Sequence, residues 1–596
     1  MSQNKKYYTL STHKTLYFLW VTIILFSATV FSSYAQISEG GTPPSFMYRL
    51  QNKKNGIKNI YIPFSLDDLK ADDERMKEEF LPPRVAVLLP ASFSPENSGV
   101  WSTLPGGERI WQLRIMANKA KAISLYYKKF NLPIGSKLFI YNSAHTHILG
   151  AYTHKTHSGK GKFATEFVAG DDIILEYVAP EGDEFPQNPE IEIEEIGYGY
   201  NYLSIKDSYS ESLSGSCMVD INCEEGEQWQ DHKNGVVKMI IPIGTSSFLC
   251  TGSILNNTKE DLKPYLLTAF HCLLSSKEQA SASDLSQSQF FFRYENTRCG
   301  SDISTSPVSM IGCTYIAGVP LENGVDGALL LLNGKIPDNL NAYYNGWDRR
   351  NIAPQSGVCI HHPQGDVKKI STYDQPAVSD TWKSGSTQGL QDGHWNVIFK
   401  STANGHGVTE GGSSGAPLFD QNKRITGFLT GGNANCTDRK EGRNLFGKLA
   451  LFWDQCGTAD DQRIDKYLDP IGSGVEYLDG RYAFPPKAVP EQVSAKWSSE
   501  EKRSIVNWEA PKGDEQPVRY KIYRNSTEIG TTTSTSFSET ALPVGIHHYD
   551  VTAIYADNKA SDSGNTATIY VYDILPPKNI SIKRTDETEL QIEWQM

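Results

Sequence analysis

Alternation of apolar and polar positions, the mark of half-buried strands, recurs along much of this chain. In the first third, Trp111-Gln112-Leu113-Arg114-Ile115, Ala122-Ile123-Ser124-Leu125-Tyr126-Tyr127, Lys137-Leu138-Phe139-Ile140-Tyr141 and Asp171-Asp172-Ile173-Ile174-Leu175-Glu176-Tyr177 each predict a strand. Asn131-Leu132-Pro133-Ile134-Gly135 turns the chain between two of them. Residues 36–211 therefore read as one all-β, sandwich-like unit. Further on the pattern changes to short runs that are apolar throughout. Tyr265-Leu266-Leu267 and Ala328-Leu329-Leu330-Leu331-Leu332 predict strands buried on both faces. After the proline-broken linker Ala483-Phe484-Pro485-Pro486-Lys487, alternation returns. Val506 and Trp508 share a face, and Tyr520-Lys521-Ile522-Tyr523 and Tyr549-Asp550-Val551-Thr552-Ala553-Ile554-Tyr555 follow as strands over residues 488–573. Beyond Pro576-Pro577, Ile580, Ile582, Leu590, Ile592 and Trp594 alternate across two strands. Two strands cannot bury enough surface to stand alone, so residues 574–596 read as an incomplete second copy.

At 596 residues the chain should hold several domains. Lys5, Lys6 and Lys14 precede an apolar run from Leu16 to Val30, closed by Ser33-Tyr34-Ala35. That is the build of an export signal over residues 1–35, cleaved before Gln36. The apolar core is short for a membrane anchor, no later run approaches a span, and stable membrane insertion is not expected. A net charge of −12 gives no reason to expect nucleic acid as a partner. All nine cysteines fall between Cys217 and Cys456. After an export signal, such clustering suggests disulfides, and no CxxC or HExxH spacing suggests a metal, so no cofactor is expected. His145, His147, His154 and His157 read as solvated loop histidines.

The candidate chemistry lies in the same central stretch. Ser414 sits in Gly412-Ser413-Ser414-Gly415-Ala416-Pro417, where glycines let the backbone approach a reacting carbonyl. A serine hydroxyl needs a base to take its proton and donors to hold the oxyanion. His271, in Thr268-Ala269-Phe270-His271-Cys272, is delivered to a rim by the strand ahead of it. Asp326, opening an apolar strand, would be costly to bury without a partner such as an imidazole N–H. Cys272 can pair with Cys250 on a neighbouring strand.

From Ser212 to Gly480 the chain resembles the lysyl endopeptidases, secreted bacterial serine proteases of the trypsin-like fold. The similar segments are Ser214-Gly215-Ser216-Cys217, Cys250-Thr251-Gly252-Ser253, Thr268-Ala269-Phe270-His271-Cys272, Gly346-Trp347-Asp348-Arg349-Arg350, Ile360-His361-His362-Pro363 and Gly407-Val408-Thr409-Glu410-Gly411-Gly412-Ser413-Ser414-Gly415. The order His271, Asp326, Ser414 is that of chymotrypsin-like enzymes. The resemblance implies an all-β fold with a two-barrel domain over residues 212–482, preceded by a removable propeptide. In it His271 is the general base, Asp326 orients it, Ser414 is the nucleophile, and the N–H groups of Gly412 and Ser414 form the oxyanion hole. It implies disulfides Cys217–Cys436, Cys223–Cys299 and Cys250–Cys272, and protein or peptide substrates. Of the extra cysteines Cys313, Cys359 and Cys456, two can pair. Residues 488–573 resemble a fibronectin type III domain, a candidate for binding surfaces or polymers.

In trypsin-like zymogens the new N-terminal amine pairs with an aspartate just before the nucleophile; here that residue is Ser413. The propeptide is therefore expected to assist folding and block the cleft without an amine-driven switch. Substrate selection departs from the family too. The aspartate that reads a lysine ammonium is matched by Asn444 in Asn444-Leu445-Phe446-Gly447-Lys448. The pocket histidine is matched by Thr430, ahead of Gly431-Gly432, and the pocket tryptophan by Trp382. Asp438 or Glu441 could supply the missing acid and keep lysine as the selected residue. Glutamate or a neutral polar side chain is the competing preference, and Lys206 and Glu211 both stand near the expected maturation point. A catalytically silent scaffold that only binds remains the other class of function.

Overall fold

The computed structural model describes residues 38–48, 57–78, 81–157, 161–180, 188–201, 213–276, 278–301, 303–305, 307–437, 442–484, 487–513, 515–525, 527–572, 578–584 and 590–595. The export signal, Lys206, Glu211, Asp438 and Glu441 lie outside them. The fold is built almost wholly from strands, and no helix among the described residues is long and apolar enough to cross a membrane.

In the N-terminal unit the strands expected from alternation are present, spanning Arg109–Met116, Ala122–Asn131, Lys137–Asn142 and Asp172–Val178. They enclose a core that includes Trp111, Leu113, Tyr126, Tyr127, Leu175 and Tyr177. One element departs from the all-β reading: helix α1, Leu66–Glu78, with Asp67 and Asp68 in its first turn and Arg75 and Lys77 in its last. Those charges complement the helix dipole at both ends. Leu66 and Leu69 pack on the N-terminal core, while Met76 reaches a core beyond it. Strand β1, Arg84–Phe93, follows. Of the four histidines read as solvated, His145 and His154 are exposed, but His145 stacks on Phe46 at 3.8 Å. The other two are structural: His147 Nδ1 accepts the Ala169 N–H at 3.1 Å, and His157 Nδ1 bonds the Phe130 carbonyl at 3.1 Å.

The central region has two β-bodies. The first contains β2 (Val236–Ile243), β3 (Ser246–Leu255), β4 (Tyr265–Ala269) and β5 (Gly327–Leu332). Strand β3 pairs with β2 and β4, and β4 pairs with β5. The second contains β6 (Gly357–His361), β7 (Lys369–Tyr373), β8 (His394–Val397), β9 (Pro417–Phe419), β10 (Ile425–Gly432) and β11 (Asn444–Lys448), hydrogen-bonded in the order β7-β6-β9-β10-β11-β8. The runs that are apolar throughout are buried on both faces because each is sandwiched between sheet neighbours and a core: Leu266 and Leu330 face one cluster, Leu267 and Leu329 another. This is the two-body chymotrypsin-like architecture the resemblance implies.

The N-terminal unit and the first body share one sheet. Strand β1 adds to the edge of β3, with Val87 opposite Ser246 and Ala86 opposite Ser247. Val85, Ala86, Ala122 and Phe167 form a buried cluster with Ile240, Leu249 and Phe291. Tyr126 Oη and Ser247 Oγ bond across the junction at 3.0 Å. C-terminally, a sheet of Glu491–Ser498, Arg503–Glu509 and Ser536–Thr540 packs on a second sheet around Arg519–Arg524 and Gly545–Ile554, with Val506, Trp508, Ile522, Tyr549 and Val551 between them. Arg298 bonds His548 Nε2 at 2.8 Å and Thr568 Oγ1 at 2.6 Å on this sandwich. Lys578–Arg584 and Leu590–Gln595 form only a two-stranded ribbon.

The three disulfides expected from the resemblance are formed, Cys217–Cys436, Cys223–Cys299 and Cys250–Cys272. Cys313, Cys359 and Cys456, for which the sequence left a further pairing open, are all free. Each lies in or against a different apolar cluster, so no two can meet without unpacking a core.

Candidate active site

Strand register brings His271 and Asp326 together. In the β4–β5 ladder Ala269 lies opposite Gly327, so the residues just past these ends emerge side by side. His271 sits in a short 3-10 turn, Phe270–Leu273, and Asp326 immediately precedes β5. One Asp326 carboxylate oxygen accepts the His271 backbone N–H at 2.9 Å, and the other lies 2.7 Å from Nδ1. Asp326 is fully buried and holds a left-handed backbone, φ 64°. Few residues other than glycine and the Asx pair tolerate that conformation, and its strain is concentrated where the imidazole is oriented. Bonding through Nδ1 leaves Nε2 of His271 as the face available to a hydroxyl.

Ser414 reaches the same rim through β3: its carbonyl accepts the Thr251 N–H at 2.8 Å. Next to it Gly415, at φ 80°, lies so close to Thr268 and the Thr251 carbonyl that a Cβ would collide with both. Gly412 is at φ 90°, and its carbonyl accepts the Thr251 hydroxyl at 2.8 Å. Among the described residues the N–H groups of Gly412 and Ser414 have no hydrogen-bond acceptor, which leaves both available as donors.

Sequence reasoning did not find what holds this loop. Ser413 is fully buried, and its Oγ accepts the Glu410 N–H at 3.2 Å and lies 2.7 Å from His361 Nδ1. His361 Nε2 lies 3.1 Å from Ser371 Oγ, which donates to the Val408 carbonyl at 3.1 Å. Only one proton arrangement satisfies every partner: Ser413 donates to Nδ1, and Nε2–H donates to Ser371. Burial, with Lys369's charge adding to it, pushes His361 down to about 3, so the relay is neutral. The Ser413 side chain, just before Ser414, is thus anchored internally by neutral partners.

The predicted pocket residues are brought together in part. Trp382 packs over Gly431, 3.2 Å from where a Cβ would stand. Thr430 Oγ1 lies 3.1 Å from His394 Nε2. His394, on β8, was not singled out from sequence, yet its ring is 6.3 Å from that of Trp382. An imidazole from a different strand thus stands beside Trp382 and bonds Thr430, the residue matched to the family's pocket histidine. A signal existed in Gly393-His394-Trp395-Asn396-Val397, where His394 alternates with Trp395 and Val397 at the start of a short strand. Burial pushes His394 down to about 4. Asn444 is buried, accepting from Thr409 Oγ1 at 2.9 Å and donating to the Val397 carbonyl at 3.1 Å. Gly432 lies directly opposite Asn444 on β10. Among the described residues one cluster has metal-like spacing, Cys250, His271 and Cys272, but its two sulfurs are joined to each other.

The N-terminal unit also reaches this cleft. The Leu249 N–H donates to the Pro83 carbonyl at 2.9 Å, and the Pro83 ring lies against Gly411, 2.7 Å from where a Cβ would stand. Leu81 packs on the core that holds Cys250 and Cys272.

Two β-bodies with a buried His–Asp pair and a serine in a glycine-rich loop at their junction define a chymotrypsin-like fold. Residues 212–447 match the family model "Lysyl endopeptidase, C-terminal domain". A lysyl endopeptidase of Pseudomonas aeruginosa is 31% identical over 315 residues, covering 51% of this chain and 62% of that protein. The matched stretch thus spans less than two thirds of that relative. Among solved structures, the thermostable serine protease AL20 from an extremophilic microorganism is 14% identical, covers 36% of this chain and 91% of its own, and superposes with a TM-score of 0.25. The protease Anisep of Arthrobacter nicotinovorans is 15% identical, with coverages of 36% and 90% and a TM-score of 0.25.

Proposed function

We propose that the chain is the exported precursor of a serine endopeptidase. His271 Nε2 takes the Ser414 proton as Oγ attacks the scissile carbonyl. The N–H groups of Gly412 and Ser414 hold the oxyanion, and His271 returns the proton to the leaving amine. Asp326 fixes the tautomer and stabilises the imidazolium. Water then hydrolyses the acyl-enzyme by the same route in reverse. The observation that carries this reading is the two-point hold of Asp326 on His271, backbone N–H and Nδ1 together. A silent scaffold has no use for a buried, left-handed aspartate in that role.

The N-terminal unit is read as a propeptide that templates β3 and covers the cleft, supported by its strand addition to β3 and by Pro83 beside Gly411. The sandwich near the C-terminus exposes Val544, Ile546, Tyr570 and Tyr572, which supports a role in holding the enzyme on a surface or polymer. The lysine preference implied by resemblance depends on an acid facing the substrate ammonium. Asp438 and Glu441, the candidates for it, lie outside the described residues, and Asn444 is neutral. The test of the function is hydrolysis of denatured protein by the matured enzyme, lost in Ser414→Ala with the fold intact. Equal hydrolysis by both would sink the reading.

A further inference from the structure

We infer that the primary specificity pocket selects a side chain ending in an oxygen acceptor, glutamate or glutamine, and that Asn444 and Thr409 set this preference. The inference rests on the Ser414 endopeptidase reading above.

The geometry at Asn444 is that of a site built around an amide. The Val397 carbonyl can only accept, so the Asn444 NH₂ must face it and the amide oxygen must face the Thr409 hydroxyl. A carboxylate at this position would set an oxygen against the Val397 carbonyl oxygen, two acceptors with no proton between them. Restoring the family's aspartate therefore conflicts with β8, and the base of the pocket is neutral by construction.

The nearby acids among the described residues are engaged elsewhere. Both Glu410 oxygens accept the Gly215 N–H at 3.2 Å. Asp380 is ion-paired with Arg443 at 2.7 Å and accepts from Asn396 at 3.1 Å. Among the described residues no carboxylate bonds to Thr409, Thr430 or Asn444. From the described residues, a lysine ammonium entering here would lose its water without gaining a counter-charge. An oxygen acceptor finds donors instead. Asn444 has a second Nδ2–H beyond the one given to Val397. Thr430 has a hydroxyl proton to offer, because His394 Nδ1 has no partner. Leaving a bare acceptor nitrogen unpaired costs less than leaving a buried N–H so, which places the His394 proton on Nε2, donated to Thr430. The Thr430 hydroxyl is then free to donate onward.

The test is a mass-spectrometric map of new termini in a denatured protein, digested by matured wild type, Asn444→Asp, Thr409→Val and Ser414→Ala enzymes. Kcat/KM is measured on matched peptides that differ only at P1. Wild type is expected to cut after Glu or Gln at least about tenfold better than after Lys, the step one lost charge-assisted contact is worth. An excess of Glu over Gln shows that charge is read; equality shows that the donors alone are read. Either supports the inference. Thr409→Val, which removes no buried ion, is expected to lower Glu and Gln cleavage about tenfold while keeping the melting temperature within a few degrees. It serves as the second variant if Asn444→Asp fails to fold. Ser414-dependent cleavage after Lys, Arg or apolar residues overturns the inference and leaves the endopeptidase reading intact. No Ser414-dependent cleavage overturns both.

Discussion

Removing one hydroxyl, in Ser413→Ala, tests the neutral relay that holds the oxyanion loop. Ser413 Oγ satisfies two buried groups, the Glu410 N–H and His361 Nδ1. Alanine leaves both without partners at a position fully closed to water. Each such group costs about 1–3 kcal/mol, so the variant should lose roughly 2–6 kcal/mol of stability before loop rearrangement recovers part of it. Rearrangement moves Gly412 and Ser414, which flank residue 413. If about 1.4–2.8 kcal/mol of the loss appears in the transition state, kcat falls about 10- to 100-fold. KM should change little, because the donors engage only the oxyanion. The assay is steady-state hydrolysis of a chromogenic peptide amide alongside urea unfolding, with Ser413→Thr as the control that keeps a hydroxyl. A Ser413→Ala enzyme with wild-type kcat and an unchanged urea midpoint would refute the relay as the element that positions the loop.

Other outcomes follow from the same geometry. Burial holds His361 at about 3, His394 at about 4 and His362 well below its usual value, all below an unfolded value near 6.5. Between roughly pH 4 and 6.5 the unfolded chain binds protons that the folded chain refuses, so stability is full above that window and falls as pH drops through it. The loss approaches about 1.4 kcal/mol per pH unit for each histidine, and urea midpoints at pH 7, 6 and 5 check it. Asp326→Asn should lower kcat about 10³- to 10⁴-fold with the melting temperature nearly kept, because the amide holds the wrong tautomer. The isolated N-terminal unit, added to matured enzyme, should inhibit it. Val85→Asp should raise the inhibition constant at least about 100-fold, since Val85 is fully buried against Ile240 and Leu249. One extra residue at the mature N-terminus should leave activity unchanged, since the Ser413 site offers no acid for an amine.

Local pattern made the strands legible, and strand register made the His271–Asp326 pair legible with them. An apolar run delivers each residue to an end, and the two ends meet opposite one another. The disulfides came through resemblance, since spacing alone leaves many pairings open. Helix α1 escaped notice because its apolar positions are divided between two cores, Leu66 and Leu69 on one and Met76 on the other. The relay was illegible for a different reason. Ser413 and His361 are 52 residues apart, and Thr430 and His394 are 36 apart, each contact made only when separate strands of the second body come together. Asn444 was visible as a departure from the family. That its amide is held between Thr409 and Val397 became visible only with β8 in place.

The most direct test is active-site labelling of the matured enzyme with a phosphonofluoridate, mapped by peptide mass spectrometry. Stoichiometric modification at Ser414, abolished in folded His271→Ala, is the predicted result. An unlabelled Ser414 in an enzyme that hydrolyses peptides, or labelling that persists at the same rate without His271, would contradict the assignment of nucleophile and base.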